Sequence, residues 1–164
     1  IRDGTVTGVQ TCALPISVVT QNVDDLHDRA GTPNLIHMHG ELAKARCGRC
    51  GAVTPWRDDL SVETACPSCG RAGAMRPHVV WFGEMPLAME EIGAALDRCG
   101  LFVSIGTSGN VYPAAGFVDL ARHVGARCLE LNLDPSMTSH RFHESRLGPA
   151  GTLAPQLVAE LLGG

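Results

Sequence analysis

The pattern Cys47-Gly-Arg-Cys50, then fifteen residues, then Cys66-Pro-Ser-Cys69 constrains this chain of 164 residues more than any other feature. Two residues between paired cysteines let a tight turn aim both thiolates at one ion, and a second knuckle completes a tetrahedron. Gly48, Gly51 and Gly70 relieve backbone crowding at those turns. With Cys47, Cys50, Cys66 and Cys69 supplying all four ligands, no position is open for water, so the expected zinc is structural. The surrounding stretch, residues 43–75, is rich in Cys, Gly and Pro and poor in large apolar residues. It cannot bury a core of its own, so metal binding should hold it folded. Free thiols or two disulfides are the alternative. The N-terminus carries no apolar run of signal length, and paired cysteines in a chain without export hold metal more often than disulfides. The other three of the seven cysteines, Cys12, Cys99 and Cys128, are scattered.

Around this insertion the pattern alternates. Val18–Thr20 reads as the end of a buried strand, and 24–30 as a short helix closed by Gly31. Residues 35–39 show strand alternation, and 79–82 form a further apolar strand. Residues 87–99 place Met89, Ile92, Leu96 and Cys99 at helical spacing before Gly100. Leu101–Ile105 reads as a buried strand, 113–124 as a helix ended by Gly125, 128–132 as a strand and 153–162 as a final helix. Strands alternating with helices predict a parallel, Rossmann-like α/β sheet with helices on its faces. The expected domain is assembled from 18–42 and 76–164, with 43–75 inserted as a small zinc ribbon.

Hydrophobic residues make up 45 % and charged residues 18 % of the chain, which excludes a disordered segment. The net charge of −4 gives no general affinity for nucleic acid or an anionic membrane. No apolar run approaches the ~18 residues of a membrane helix. A cytoplasmic protein is expected. Residues 1–17 stand apart: they lack an initiator Met, feed no evident element, and resemble the in-frame translation of a sequencing adapter. They are expected to be non-native, an edge strand over 5–10 being the alternative.

Six motifs then converge. Thr20-Gln21-Asn22-Val23-Asp24, Ile36-His37-Met38-His39-Gly40, the four cysteines, Val80-Trp81-Phe82-Gly83-Glu84, Gly106-Thr107-Ser108 and Glu130-Leu131-Asn132 occur in the order and spacing of sirtuins. From about Val18 onward the chain resembles that family, and its wording is most similar to the bacterial branch. The resemblance implies an NAD-dependent protein lysine deacylase, a deacetylase or desuccinylase. Such an enzyme transfers the acyl group of an acyl-lysine protein to ADP-ribose and releases nicotinamide.

By resemblance His39 is the base that activates a ribose hydroxyl, a task suited to imidazole because its pKa lies near working pH. His37, two residues earlier, is expected to face away from it. Asn22 and Asp24 follow a strand at its carboxyl end, where ligands of parallel sheets collect. In the family these positions meet the nicotinamide and the reacting ribose, with Gln21 and Val23 completing the cluster. A turn and helix cap at Asn22-Val23-Asp24-Asp25 is the structural reading of the same residues, and the two can coexist. Gly106, Thr107 and Ser108 let backbone approach a phosphate or ribose. Asn132, Leu133 and Asp134 fit the adenosine ribose, and Ala150 the adenine. Val80, Trp81, Phe82, Gly83 and Glu84 are expected to offer an extended edge to the acyl-lysine peptide.

The family's first strand, its Gly-Ala-Gly-type loop and its Asp-Phe-Arg-like segment have no counterpart in this sequence, so the chain by itself is expected to be inactive. Two other classes compete: a zinc-ribbon interaction module on a nucleotide-binding scaffold, and a non-catalytic NAD or ADP-ribose sensor. An intact His39 and Asn22 speak against both, since a pure binder has no use for a base.

Overall fold

The computed structural model of the chain describes residues 16–163. The segment 1–15, with the alternative strand over 5–10, lies outside the described residues. The chain divides into two compact units, the first ending at Leu87 and the second starting at Ala88.

In the first unit β1 (Val18–Thr20) runs parallel to β2 (Leu35–His37), with Val18 opposite Leu35 and Thr20 opposite His37. A parallel pair needs a crossover, supplied here by the loop after β1, the one-turn helix α1 (Leu26–Arg29) and a turn in which Gly31 takes φ +69°. The next strand, β3 (Gly40–Cys47), is the centre of an antiparallel sheet between β4 (Val53–Pro55) and β5 (Met75–Val79). This sheet runs past both ends of the Cys-rich stretch 43–75. Ala45 and Cys47 are buried on β3, and Met38 is fully buried just before it.

The second unit holds a three-stranded parallel sheet in the order β6 (Leu101–Ile105), β7 (Arg127–Asn132), β8 (Glu144–Leu147). The central strand carries the core: residues 128–132 are all buried. Leu129 and Leu131 pack with Leu157 of α4 (Ala150–Gly163), with Leu101, Val103, Leu153 and Ala154 around them. Helix α3 (Phe117–His123) buries Phe117, Val118 and Ala121. Helix α2 (Met89–Leu96) buries Ile92 and Leu96, four residues apart and so on one face.

The mixed α/β architecture with parallel sheets agrees with the sequence reading. Several elements differ in extent. The strand expected at 79–82 lies at Met75–Val79 instead. Past Val79 the chain leaves the sheet, because Gly83 takes φ +89° and the Glu84 amide closes a turn onto the Trp81 carbonyl at 2.9 Å. The helix expected over 113–124 is a 3-10 turn, Ala114–Gly116, followed by α3. The helix expected over 87–99 ends at Leu96, and the one expected from 153 begins at Ala150. Leu101–Ile105 is only partly buried, since β6 pairs with a single neighbour among the described residues. Strand β8 has no apolar run to betray it; its sequence, ESRL, alternates half-buried and exposed positions.

Candidate functional site: a four-cysteine centre and two strand-end clusters

The two Cys-x-x-Cys-Gly segments fold alike. The Cys47 amide donates to the Ala52 carbonyl and the Gly51 amide to the Cys47 carbonyl, both at 2.9 Å. The Cys66 amide donates to the Arg71 carbonyl at 2.9 Å and the Gly70 amide to the Cys66 carbonyl at 2.8 Å. Gly51 and Gly70 take φ of +74° and +70°, which closes each knuckle without a Cβ penalty. The turns aim four Sγ atoms at one point, all within 4.8 Å of each other. Cys47 and Cys69 sulfurs stand 3.9 Å apart, Cys50 and Cys66 3.7 Å. A tetrahedron with ~2.3 Å zinc–sulfur bonds has edges of about 3.8 Å, so the donor set fits zinc in both chemistry and spacing. Asp28, His37 and Glu41 also gather ligand-type atoms within 4.8 Å. There, however, His37 Nε2 is paired with Asp28 at 2.9 Å, and Glu41 carries the Lys44 ammonium at 2.7 Å. These pairings occupy Asp28, Glu41 and His37 Nε2, while His37 Nδ1 is buried without a hydrogen-bond partner.

The carboxyl ends of β1 and β2 lie side by side, with Thr20 opposite His37. Beyond them the Met38 amide donates to the Thr20 carbonyl at 3.1 Å and the Leu42 amide to the Val23 carbonyl at 2.8 Å. The loop 21–25 is thereby stitched to the 38–42 segment. Within it the Asn22 amide donates to Thr20 Oγ1 at 3.1 Å, and Asp24 Oδ1 accepts the Leu26 amide at 3.0 Å. The turn half of the turn-and-cap reading is seen in these bonds; Asp25 at the cap position makes no side-chain cap hydrogen bond, and Asn22 and Asp24 stay exposed on the loop.

His39 is half-buried, its Nδ1 lying 3.1 Å from the Gln21 carbonyl oxygen. A carbonyl only accepts, so Nδ1 carries the hydrogen and the lone pair of the neutral ring resides on Nε2. The sequence brings Gln21 and His39 together across eighteen positions. His37 does face elsewhere, toward Asp28, though strand alternation is not the reason. Residues two apart on a strand share a face; β2 ends at His37, and Met38-His39 form a turn. Gly40 follows with φ +83°, where an added Cβ would sit 2.0 Å from the His78 carbonyl oxygen. Only glycine lets β3 pass β5 at that point.

Residues 80–84 hang from the same corner. The Val80 amide donates to the His39 carbonyl at 2.9 Å. Trp81 is more than half exposed and Phe82 fully so. Glu84 is gripped by Arg46 and Arg76, and its carboxyl is held well below the usual range, at about 2. Hydrogen bonds from Arg76 come first among the causes and the Trp81 amide second.

In the second unit Gly106, Asn132 and Gly148 follow or end three neighbouring parallel strands, the edge where α/β sheets bind ligands. The Gly106 amide donates to the Leu131 carbonyl and the Gly148 amide to the Asn132 carbonyl, at 2.9 and 2.8 Å. Asn132 Nδ2 donates to the Thr107 carbonyl at 2.8 Å and to Glu130 Oε1 at 3.0 Å. The structure thus gathers Gly106, Thr107 and Asn132, with Ser108, Leu133, Asp134 and Ala150 exposed beside them.

Sequence reasoning missed the supporting charges. Arg46 and Arg76 lie in the Cys-rich segment and its exit strand, where no motif marks them. Glu130 appears in a motif, but its burial has no sequence signal other than its place between Leu129 and Leu131. It is fully buried, and accepts from Ser139, from Ser145 at 2.9 Å and from Asn132. Burial pushes its carboxyl up, and hydrogen bonds from Ser136, Ser139, Ser145 and Asn132 more than offset that, leaving it below its ordinary value.

The family model described as "Sir2 family" matches residues 6–113. That match opens inside the segment 1–17 that the sequence reading sets apart. The NAD-dependent protein deacylase of Escherichia coli (strain K12) is 53 % identical over 147 residues, covering 90 % of this chain and 53 % of the relative. The enzyme of the same name from Pasteurella multocida (strain Pm70) is 54 % identical over 145 residues, covering 88 % and 62 %. A Sir2 homologue solved as an NAD complex superposes with a TM-score of 0.81 at 33 % identity, over 90 % of this chain and 59 % of that one. A Sir2 protein solved with an inhibitor, 2'-O-acetyl-ADP-ribose and a deacetylated peptide gives 0.75 at 28 % identity, covering 90 % and 65 %. The chain belongs to the Sir2 family. It spans little more than half the length of the E. coli relative.

Proposed function

We propose that the protein to which this chain belongs is an NAD-dependent protein lysine deacylase, acting on acetyl- or succinyl-lysine in proteins and peptides. The observation that carries this reading is the His39–Gln21 contact at 3.1 Å. It orients an imidazole with Nε2 as the basic atom, directly beside the loop that carries Asn22 and Asp24. A module built only to bind nucleotide or protein gains nothing from a histidine held in that tautomer.

In this reading NAD would supply an electrophilic ribose carbon, which bonds the acyl-lysine carbonyl oxygen as its bond to nicotinamide breaks; water then completes the transfer as the acyl carbon–nitrogen bond breaks and free lysine leaves. His39 Nε2 accepts the proton of a ribose hydroxyl and so makes it nucleophilic toward the acyl carbon. Asn22 and Asp24 orient the nicotinamide and ribose from the strand end, with Gln21 and Val23 setting the loop. Gly106, Thr107, Ser108, Asn132, Leu133, Asp134 and Ala150 meet the adenosine side. Residues 80–84 receive the peptide as an added strand. Zinc held by Cys47, Cys50, Cys66 and Cys69 is structural, and binds no water because all four positions are filled.

We place the protein in the cytoplasm. No helix of the described residues is long and apolar enough to cross a membrane, and four reduced thiolates suit a reducing compartment. The test is product analysis at the full length of the relatives. An acetyl-lysine peptide and NAD should give free nicotinamide and O-acetyl-ADP-ribose in equal amounts. Free carboxylic acid without acyl-ADP-ribose, or no reaction with either an acetyl- or a succinyl-lysine peptide, would overturn the reading.

A further inference from the structure

Strands β3 and β5 place Arg46 directly opposite Arg76. Like charges facing each other across an antiparallel pair repel and weaken the sheet. Here they instead make a receptor for one carboxylate. Glu84 Oε1 accepts from Arg46 Nη2 at 2.9 Å and from Arg76 Nη1. Its Oε2 accepts from Arg46 Nη2 at 3.1 Å, Arg76 Nη2 at 3.0 Å and the Trp81 amide at 2.9 Å. A carboxylate has about four lone-pair sites, and these donors fill them. Glu84 therefore has no acceptor left for a substrate amide or lysine. The same Arg76 also donates to the Val79 carbonyl at 2.9 Å and lies 3.5 Å over the Trp81 ring.

What the clamp leaves open is the tip of the turn. The Trp81 amide is turned inward to Glu84, and the Val80 amide is used by His39. Among the described residues no hydrogen bond engages the Phe82 or Gly83 amides. We propose that Glu84 is a positioning residue rather than a substrate contact: seated on the Arg46–Arg76 pair, it fixes the turn at 81–84 and so presents the Phe82 and Gly83 amides to an extended acyl-lysine peptide. This rests on the reading above that residues 80–84 receive the peptide.

The test uses the 164-residue chain, with backbone amides and Trp81 followed by NMR and an acetyl-lysine peptide of about ten residues as probe. On titration of the unmodified chain, the Phe82 and Gly83 amide signals should shift. Glu84→Gln should move the Trp81 amide and indole signals before any peptide is added, and should weaken peptide binding at least tenfold. Zinc content should stay unchanged, while the melting temperature should fall modestly because Arg46 and Arg76 then face each other without a counter-charge. Arg76→Lys keeps the charge but loses the fork and the ring contact, and should show the same changes to a smaller degree; it decides the matter if Glu84→Gln melts early. Unaltered Trp81 signals with unaltered peptide binding in both variants would overturn the inference. Absence of peptide binding to the unmodified chain would instead overturn the peptide reading itself, and the Trp81 signals would still decide whether the clamp sets the turn.

Discussion

His39 and Gln21 meet through a ring nitrogen and a backbone carbonyl: Nδ1 lies 3.1 Å from the Gln21 oxygen. A main-chain acceptor cannot be removed by substituting the Gln21 side chain, so the tautomer is set by the path of the loop after β1. Long-range nitrogen–proton NMR of the neutral ring should find the hydrogen on Nδ1 and a bare Nε2. The opposite tautomer would leave Nε2 unable to accept a proton.

Gly40 holds the next position. With φ +83° and a virtual Cβ 2.0 Å from the His78 carbonyl oxygen, Gly40→Ala combines a left-handed backbone with a clash against main chain that cannot swing aside. It should cost at least ~2 kcal/mol, read as a lowered denaturant midpoint. Gly31→Ala has nothing within 4 Å of the new Cβ, so it tests the backbone conformation alone and should cost less.

Much of this arrangement was legible from sequence, and the rest shows where pattern reading stops. The cysteine knuckles are encoded locally, two residues apart, and the structure draws the four sulfurs together as the spacing requires. In the central strand β7, Leu129 and Leu131 alternate with Cys128, Glu130 and Asn132, a period-two pattern that marks a strand, but the burial of its polar face is not written in that pattern. By contrast, β5 contains Arg76, Pro77 and His78 and is paired for reasons that lie in β3. The apolar residues just after it looked more strand-like than the strand itself. Glu84 turns that stretch out of the sheet by reaching Arg46, thirty-eight positions earlier, a contact no local window contains.

The metal centre gives a sharper test of sequence against structure. The protein purified without chelator should carry one zinc per chain by elemental analysis. Cys66→Ser should lose it and unfold the β3–β5 sheet, because three ligands hold so small a module poorly. Well under one equivalent in the unmodified protein would count against the zinc assignment.

Glu130 should make the second unit acid-sensitive. Its folded-state carboxyl lies below the ordinary value, so its contribution is complete above the unfolded value near 4.5 and is lost as pH falls below it. Glu130→Gln should therefore flatten the pH dependence of stability below about 4.5. It should also lower stability at neutral pH by roughly 1–3 kcal/mol, since Ser139 and Ser145 lose a charged acceptor. Loss of metal in acid adds a pH dependence of its own, so the comparison is between variant and parent at each pH.

The most direct measurement is single-turnover acyl transfer by His39→Ala at the full length of the relatives, with saturating NAD and an acetyl-lysine peptide. A positioned general base is worth roughly 100- to 10,000-fold in rate. The variant should therefore form O-acetyl-ADP-ribose slower by that factor while binding the peptide as the parent does. Acyl transfer at the parental rate in His39→Ala would mean that another group takes the proton, and would contradict the assignment on which this reading of the site depends.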